Sequence, residues 1–315
     1  MISDILELVD EVETPYVLLV GDDDFFVPHA IGRCVDFLEG HPDHNSACGE
    51  VLSIYTHRDS DGQLGLGYSF PDEVRDIVDN LPSRRILRFY SPQRVNIFYA
   101  VQRTEPLRYM LRLSVQHRLS VPQNAFSDAA LTAYNLIKGK LKVVPGLFHV
   151  RLRHCPFPVT KETIRNIDYG LFLYDEITKP GWADRLKVFI ELISSELMKH
   201  ERLDPKRASH IAEAVFLGWF VPRLTRNRDR LLGKTFPTLT GSPVRNGLKK
   251  FPMVQALWDR WKSLWPTHLS LESALHPLSP YHRDFMPIYR ALTEQLSEPV
   301  VESTPALSAS MEASR

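Results

Sequence analysis

An apolar run that leads into three consecutive acids constrains the fold of this chain more than any other feature. Residues 16–20 read Tyr-Val-Leu-Leu-Val, and Gly21 joins them to Asp22, Asp23 and Asp24. Because a short, fully apolar run between chain breakers is typical of a strand buried on both faces, the pattern predicts a strand of a parallel sheet. The acids then follow the carboxyl end of that strand, where open α/β sheets bind their ligands.

The chemistry of three adjacent carboxylates indicates a metal ion. Like charges at this spacing repel one another, so the three acids ionise together at low cost only beside a positive charge. Mg²⁺ and Mn²⁺ prefer oxygen ligands, and they commonly take one or two carboxylates while water and substrate phosphates complete the shell. The alternative interpretation is a solvated acidic turn, or an N-cap for a helix that follows Pro28.

The rest of the first half has the pattern of an α/β domain. Apolar residues at helical spacing predict a short helix over 2–9 and a second helix from Pro28 to about Gly40, and residues 47–55 predict a strand. Strand, helix and strand in this order are characteristic of α/β domains. Further along, the sequence predicts a strand over 95–101, a helix over 127–139 and a strand at 142–144.

The second half of the chain has the pattern of helices. Residues 182–200 carry apolar side chains on one helical face, and Asp204 with Pro205 is a favourable start for another helix. We therefore expect an α/β domain over 1–155, a mainly helical domain over 156–296 and a disordered tail over 297–315.

Composition excludes several classes of protein. The chain has 38 basic and 38 acidic residues, so its bulk charge favours neither a nucleic-acid-binding protein nor a strongly acidic one. Three cysteines are too few and too widely spaced for a disulfide framework, which favours a cytoplasmic location, and no apolar run is long enough to cross a bilayer. His41 and His44 have no third ligand nearby in sequence, so we expect no zinc site there.

The segment over 16–30, which reads YVLLVGDDDFFVPHA, resembles the DxD segment of family-two glycosyltransferases with the GT-A fold. The segment over 38–43, Leu-Glu-Gly-His-Pro-Asp, is similar to a Leu-Glu-x-x-Pro-x segment that follows the motif helix in that family. The resemblance covers about the first half of the chain, residues 1–155. It implies a partial GT-A (Rossmann-like) sheet with helices on its faces, followed by the mainly helical C-terminal region.

The resemblance also implies roles for the three acids and for a histidine. Asp23 would be the metal-facing acid, and Asp22 would lie toward the donor ribose or phosphate. Asp24 would contact both the metal ion and the donor. The stretch after the strand at 142–144 is similar to a region from which such enzymes supply a histidine or a basic residue to the metal or the diphosphate. His149 and His154 are the candidates there, and we take His154 as the predicted metal ligand.

A catalytic base is implied in the same way. Family-two enzymes place an acid at the start of a later helix, near the acceptor hydroxyl, and the segment over 126–131, Phe-Ser-Asp-Ala-Ala-Leu, is similar to this pattern at Asp128. A sugar hydroxyl becomes a good nucleophile only when a positioned carboxylate accepts its proton. The alternative is that Asp128 or Ser127 is an ordinary helix cap.

The leading functional prediction is a metal-dependent, inverting glycosyltransferase that uses Mn²⁺ or Mg²⁺. It would move a sugar from a nucleotide-sugar donor to an unknown glycan, lipid or protein acceptor. A GT-A domain has a first βαβ half that holds the nucleotide base, whereas only one helix precedes the motif here. We therefore expect a truncated domain, or one whose sheet a partner chain completes.

Two other functions compete with this prediction. The first is a non-catalytic, truncated glycosyltransferase-like protein or interaction module. The second is a haloacid-dehalogenase-like phosphohydrolase, a class that also places Asp-x-Asp after an apolar strand. Such enzymes have Thr or Val at the position where this chain has Phe26. We expect no nucleic-acid partner and no membrane span, while the basic stretch over 223–250 could give peripheral contact with an anionic lipid surface.

Overall fold

The computed structural model of the chain describes residues 2–58, 64–72, 75–90, 97–119, 125–155, 180–231 and 269–297. The strands are β1 (Tyr16–Val17), β2 (Asp24–Phe26), β3 (His44–Arg58), β4 (Leu64–Asp72), β5 (Val101–Arg103) and β6 (Lys140–Cys155). The first five helices are α1 (Ile2–Asp10), α2 (Pro28–Gly40), α3 (Pro82–Tyr90), α4 (Thr104–Gln116) and α5 (Ala125–Lys138). The C-terminal helices are α6 (Trp182–His200), α7 (Pro205–Leu231), α8 (Leu271–Leu275) and α9 (His282–Ser297).

A mixed sheet forms the centre of the first half. The long strands β3 and β6 pair in parallel, and the strand order is β1-β5-β3-β6-β2, with β4 also paired to β3. Every other pairing is antiparallel among the described strands. The predicted fold class, an α/β sheet with helices followed by a mainly helical C-terminal region, is confirmed.

The predicted buried strand over 16–20 is wrong in its length and burial. The strand β1 contains only Tyr16 and Val17, which lie at one edge of the sheet and are half-buried, and Val20 is 58% exposed. The chain then crosses from this edge to β2 at the opposite edge, so residues 18–23 cannot stay in a strand. An apolar run of this length predicts a fully buried strand only when sheet partners flank it on both sides.

The helix α2 follows β2 after a single residue, and its sequence explains where it begins. Pro28 occupies the first turn, where its missing N–H costs nothing. Ala30, Cys34 and Leu38 then recur every four residues and are buried on one face. This is the helix that the sequence predicts from Pro28 to about Gly40, and it is confirmed.

Several other predictions can be compared with the structure. The helices over 2–9, 127–139 and 182–200 and the helix that starts at Pro205 are confirmed, as is the strand over 47–55. The region predicted as a strand over 95–101 instead has a 3₁₀ turn, Ile97–Tyr99, followed by β5. Sequence reasoning missed β4, in which Gly65, Gly67 and Pro71 interrupt the strand pattern, as well as α3 and α4. The predicted tail beyond Ser297 and the basic stretch beyond Leu231 lie outside the described residues.

The helices of the second half pack against the sheet region through aromatic rings. Phe126 at the start of α5 stacks on Phe216 of α7, with ring centroids 5.3 Å apart, and also contacts Phe189 of α6. Glu201, just after α6, accepts hydrogen bonds from the backbone N–H and the hydroxyl of Ser83 at the start of α3. The core therefore continues across the predicted boundary at residue 155. Within the described part of the chain, no helix is both long enough and apolar enough to cross a membrane.

A buried arginine joins α3 to the end of α5. The Arg85 guanidinium donates hydrogen bonds to the carbonyl oxygens of Leu136 and Ile137, at 2.6 and 2.9 Å, and to those of Asp79 and Asn80. The carbonyls in the last turn of a helix have no partner within the helix itself. Arg85 therefore supplies the donors that allow this end of α5 to be buried.

Replacing Arg85 with Met removes these donors and leaves buried carbonyl oxygens unpaired. We expect Arg85→Met to lower the free energy of unfolding by about 3 kcal/mol, measured by urea denaturation. Arg88 on the same helix is the matched control, because its more exposed guanidinium pairs with Asp79 near the surface. Arg88→Met should cost less than about 1 kcal/mol. Equal costs for the two variants would contradict the role assigned to Arg85.

Candidate functional site

The acidic triplet forms a tight turn at the start of β2. The backbone N–H of Asp24 donates to the Gly21 carbonyl at 3.3 Å, which closes a four-residue turn over 21–24. Asp22 and Asp23, at the two central positions, are exposed. Asp24 is the first residue of β2, and its backbone pairs with Arg151 of β6. The turn thus separates two acids in solvent from one acid that points into the protein.

The buried acid meets a buried histidine. Asp24 Oδ2 lies 3.1 Å from His149 Nε2, and both side chains are 3% exposed. The contact does not have hydrogen-bond geometry: Asp24 Oδ1 and His149 Nε2 are both buried, and neither has a hydrogen-bond partner among the described residues. Buried polar atoms in native proteins are nearly always paired, so two unpaired atoms side by side require an explanation.

Aromatic rings fix the imidazole of His149. Its ring stacks flat on Phe26, with centroids 4.3 Å apart and planes 7° from parallel, because Phe26 lies opposite His149 in the β2–β6 register. Tyr99 approaches the same imidazole at 5.6 Å. The guanidinium carbon of Arg151 lies 5.1 Å from the Tyr99 ring centroid, and Arg151 is the residue opposite Asp24 in the β2–β6 register. The site therefore combines buried and exposed carboxylates, an imidazole and a guanidinium within one corner of the sheet.

Gly21 allows two of the carboxylates to converge. A Cβ atom at Gly21 would lie 3.0 Å from Asp24 Oδ2 and 3.1 Å from Asp23 Oδ1. Both carboxylates therefore approach the same point of the turn backbone, and a side chain at position 21 would crowd them. A larger residue at position 21 would require the two carboxylates to move apart by a few tenths of an ångström.

The structure brings together some of the predicted site residues. Asp22, Asp23 and Asp24 share the turn, and His149 is the histidine that contacts it. His154 lies further along β6, with its backbone paired to Thr56, and its side chain is outside the described part of the structure. Asp128 lies in the first turns of α5, and its side chain is likewise not described.

Sequence reasoning did not identify Phe26, Tyr99 and Arg151 as part of this corner. A signal for Arg151 was present, because side chains two residues apart lie on one face of a strand and His149 and Arg151 are so spaced. Tyr99 reaches the site from the 3₁₀ turn, where strand alternation does not apply.

The donor set of this corner is suited to a hard divalent cation, although the described side chains do not form a complete metal-binding cluster. No group of three or more His, Cys, Asp or Glu residues is arranged to hold a metal ion among the residues that could be assessed. Asp24 Oδ1 and His149 Nε2 nevertheless present two buried atoms that lack partners, and Asp23 Oδ1 approaches the same point of the turn backbone as Asp24 Oδ2. Carboxylate and imidazole are both ligands of Mn²⁺, and water and phosphate oxygens commonly supply the remaining positions.

Comparison with known proteins identifies no family. No protein-family model matches this chain, and no curated protein matches it. The functional assignment therefore depends on the residues and contacts described above.

The unpaired state of Asp24 predicts an unusual mutational result. Breaking an ordinary buried ion pair costs about 3–5 kcal/mol. Because neither Asp24 Oδ1 nor His149 Nε2 has a hydrogen-bond partner among the described residues, we expect Asp24→Asn to leave the free energy of unfolding unchanged or to raise it by about 1 kcal/mol. Urea denaturation without added metal would measure this change. A loss of about 3 kcal/mol or more would instead identify Asp24 and His149 as a structural pair.

Proposed function

We propose that this protein binds a divalent cation together with the diphosphate of a nucleotide sugar at the acidic turn, and that it transfers the sugar with inversion. The observation that carries the proposal is the buried Asp24–His149 contact, in which both partners keep an unpaired atom. The resemblance of residues 16–30 to the DxD segment supports the same function. A cytoplasmic location, and peripheral membrane contact through the basic stretch over 223–250, remain predictions.

Each residue of this corner has a proposed role in binding the cation or the nucleotide sugar. Asp24 and His149 would hold the cation from the buried side and Asp23 from the exposed side. When bound, Mn²⁺ or Mg²⁺ would neutralise the charge of the departing nucleoside diphosphate. Asp22, at the outer position of the turn, is free to accept hydrogen bonds from the donor ribose. Arg151, held over Tyr99, adds a positive charge on the phosphate side.

Asp128 is the proposed base. The helix α5 leads through Gly139 directly into β6, and Asn135 near its end contacts Ser46 at the start of β3. We infer from these contacts that α5 runs back along the sheet, with its first turns toward the carboxyl ends of β3 and β6. A carboxylate there could accept the proton of the acceptor hydroxyl as the hydroxyl oxygen attacks the sugar.

The alternative is a protein that binds the metal and the nucleotide but transfers nothing. Such a protein needs the corner at Asp24 but not Asp128. An Asp128→Asn variant of an active enzyme should keep nucleotide affinity and lose turnover, whereas a pure binding protein would show no turnover to lose.

Calorimetry with UDP and GDP tests the binding step. We expect one of the two to bind the full chain in the presence of Mn²⁺ and to bind weakly or not at all without it. Asp24→Asn and His149→Gln should each lower the metal-dependent affinity by at least about tenfold. Asp36→Asn is the matched control, since Asp36 is an exposed acid on α2 away from the turn. This variant should bind the nucleotide as tightly as the wild type does.

Three results would contradict the proposal. One is the absence of metal-dependent binding of either nucleotide by the intact chain. Another is unchanged affinity in Asp24→Asn, and the third is an equal loss of affinity in Asp36→Asn. A parallel His154→Gln variant would show which histidine contributes: we expect His149→Gln to have the larger effect.

A further inference from the structure

A second pair of histidines lies at the other end of the sheet, in a turn between α2 and β3. The backbone N–H of His44 donates to the His41 carbonyl at 3.0 Å, so His41, Pro42, Asp43 and His44 form a closed turn. Pro42 occupies the second position of this turn, where its fixed φ is favourable. The turn is therefore well defined before any ligand binds.

The side chain of Arg103 binds the backbone of this turn. Its guanidinium donates to the carbonyl oxygens of Leu38 and His44 at 2.7 and 2.9 Å, and to that of His41 at 3.3 Å. Three carbonyls from the end of α2 to the start of β3 are thereby tied to one side chain. The positive charge of Arg103 is directed at the backbone and not at the imidazole rings.

The two imidazoles are packed against each other and against Phe37. His41 stacks on Phe37 with centroids 3.9 Å apart, and His44 meets the same ring edge-on at 4.9 Å. The centroids of the two imidazoles are 5.6 Å apart. Two imidazoles that share one tetrahedral ion through bonds of about 2.0–2.1 Å have centroids roughly 5–6 Å apart, so the observed separation is within this span.

Hydrogen bonds determine which ring nitrogen of each histidine is free. His41 Nδ1 lies 2.7 Å from the Phe37 carbonyl oxygen, which can only accept, so Nδ1 carries the proton. His44 Nδ1 lies 2.8 Å from Asp43 Oδ1. Asp43 Oδ2 also accepts a hydrogen bond from Lys140 Nζ at 2.7 Å. A carboxylate with a nitrogen at hydrogen-bond distance from each oxygen accepts from both, so His44 Nδ1 is again the donor.

This arrangement is the one that metal-binding histidines use. When a carbonyl or carboxylate takes the Nδ1 proton of a neutral imidazole, Nε2 keeps its lone pair and the ring is oriented. Neither His41 Nε2 nor His44 Nε2 has a hydrogen-bond partner among the residues that the structure describes. Lys140 Nζ lies 2.7 Å from Asp43 Oδ2, so the positive charge of Lys140 is paired with this carboxylate.

We propose that His41 and His44 form a two-histidine site for a divalent cation that prefers imidazole nitrogen, such as Zn²⁺ or Cu²⁺, with water completing the coordination. The sequence predicts no zinc site here because no third ligand lies nearby in sequence, but the hydrogen bonds at both Nδ1 atoms are not visible in the sequence. The site is distinct from the acidic turn, since His44 is seven residues before Val51, the β3 partner of His149, or roughly 20 Å along the strand.

Zn²⁺ titration of the full chain, carried out in the Asp24→Asn background, tests this site without interference from the acidic turn. Binding is measured by calorimetry and by NMR of ¹⁵N-labelled histidine rings. We expect the Nε2 resonances of His41 and His44 to shift together on binding. His41→Phe keeps the stack on Phe37 but has no nitrogen, so it should fold normally and lose the Zn²⁺ binding. Asp43→Asn should weaken binding about 10–100-fold, because the carboxylate orients His44.

His117→Ala is the control, since His117 is an exposed histidine at the end of α4. It should bind Zn²⁺ as tightly as its parent. The proposal is overturned if His41→Phe keeps the parent affinity, if His117→Ala loses as much as His41→Phe, or if the two Nε2 resonances do not respond to Zn²⁺. In a chain that keeps Asp24, His41→Phe should leave the Mn²⁺-dependent nucleotide binding at the acidic turn unchanged, which separates this site from the proposed transferase site.

Discussion

The parallel pairing of β3 with β6 fixes the positions of both candidate sites. The pairing begins where His44 lies opposite Lys140 and continues to His57 opposite Cys155. At its start, Lys140 binds Asp43 and so holds the turn that carries His41 and His44. Further along, β6 carries His149 and Arg151, and the short strand β2 pairs with these two residues. A shift of one residue in the β2–β6 register would turn His149 away from Asp24, because side chains alternate between the two faces of a strand.

Asp24 differs from several other buried polar residues in the first half of the chain. Ser46, Gln102 and Asn135 form a connected hydrogen-bond network, and Arg85 finds acceptors for its donors. Asp24 and His149 are equally buried, yet each retains an unpaired atom. Leaving a buried polar atom unpaired costs about 1–3 kcal/mol, and a catalytic role, a bound water or a bound ion is among the explanations for such an atom in a native protein. This contrast is the physical basis of the proposed function.

The sequence predicted the elements with strong local signals and missed those that depend on neighbours. Pro28 with the spacing of Ala30, Cys34 and Leu38 was sufficient to predict α2, and the acids of the turn were identified by their charge alone. The apolar run at 16–20 was misjudged because its burial depends on strands on both sides, which no local pattern reveals. His149 was one of two candidates in sequence, and only the β2–β6 register distinguishes it as the partner of Asp24. Tyr99 and the hydrogen bonds at Nδ1 of His41 and His44 depend on tertiary contacts and could not be predicted.

The central claim is that the cation binds between the acidic turn and His149. Mn²⁺ is paramagnetic, so it broadens the amide resonances that are near it and leaves distant ones sharp. Titrating Mn²⁺ into ¹⁵N-labelled protein while recording amide spectra would therefore locate the ion directly. The account predicts that Asp23, Asp24, Phe26 and His149 lose intensity first, ahead of the amides of α2 and of the exposed acids elsewhere. Broadening that starts at other carboxylates, or that is spread evenly over the surface, would contradict it.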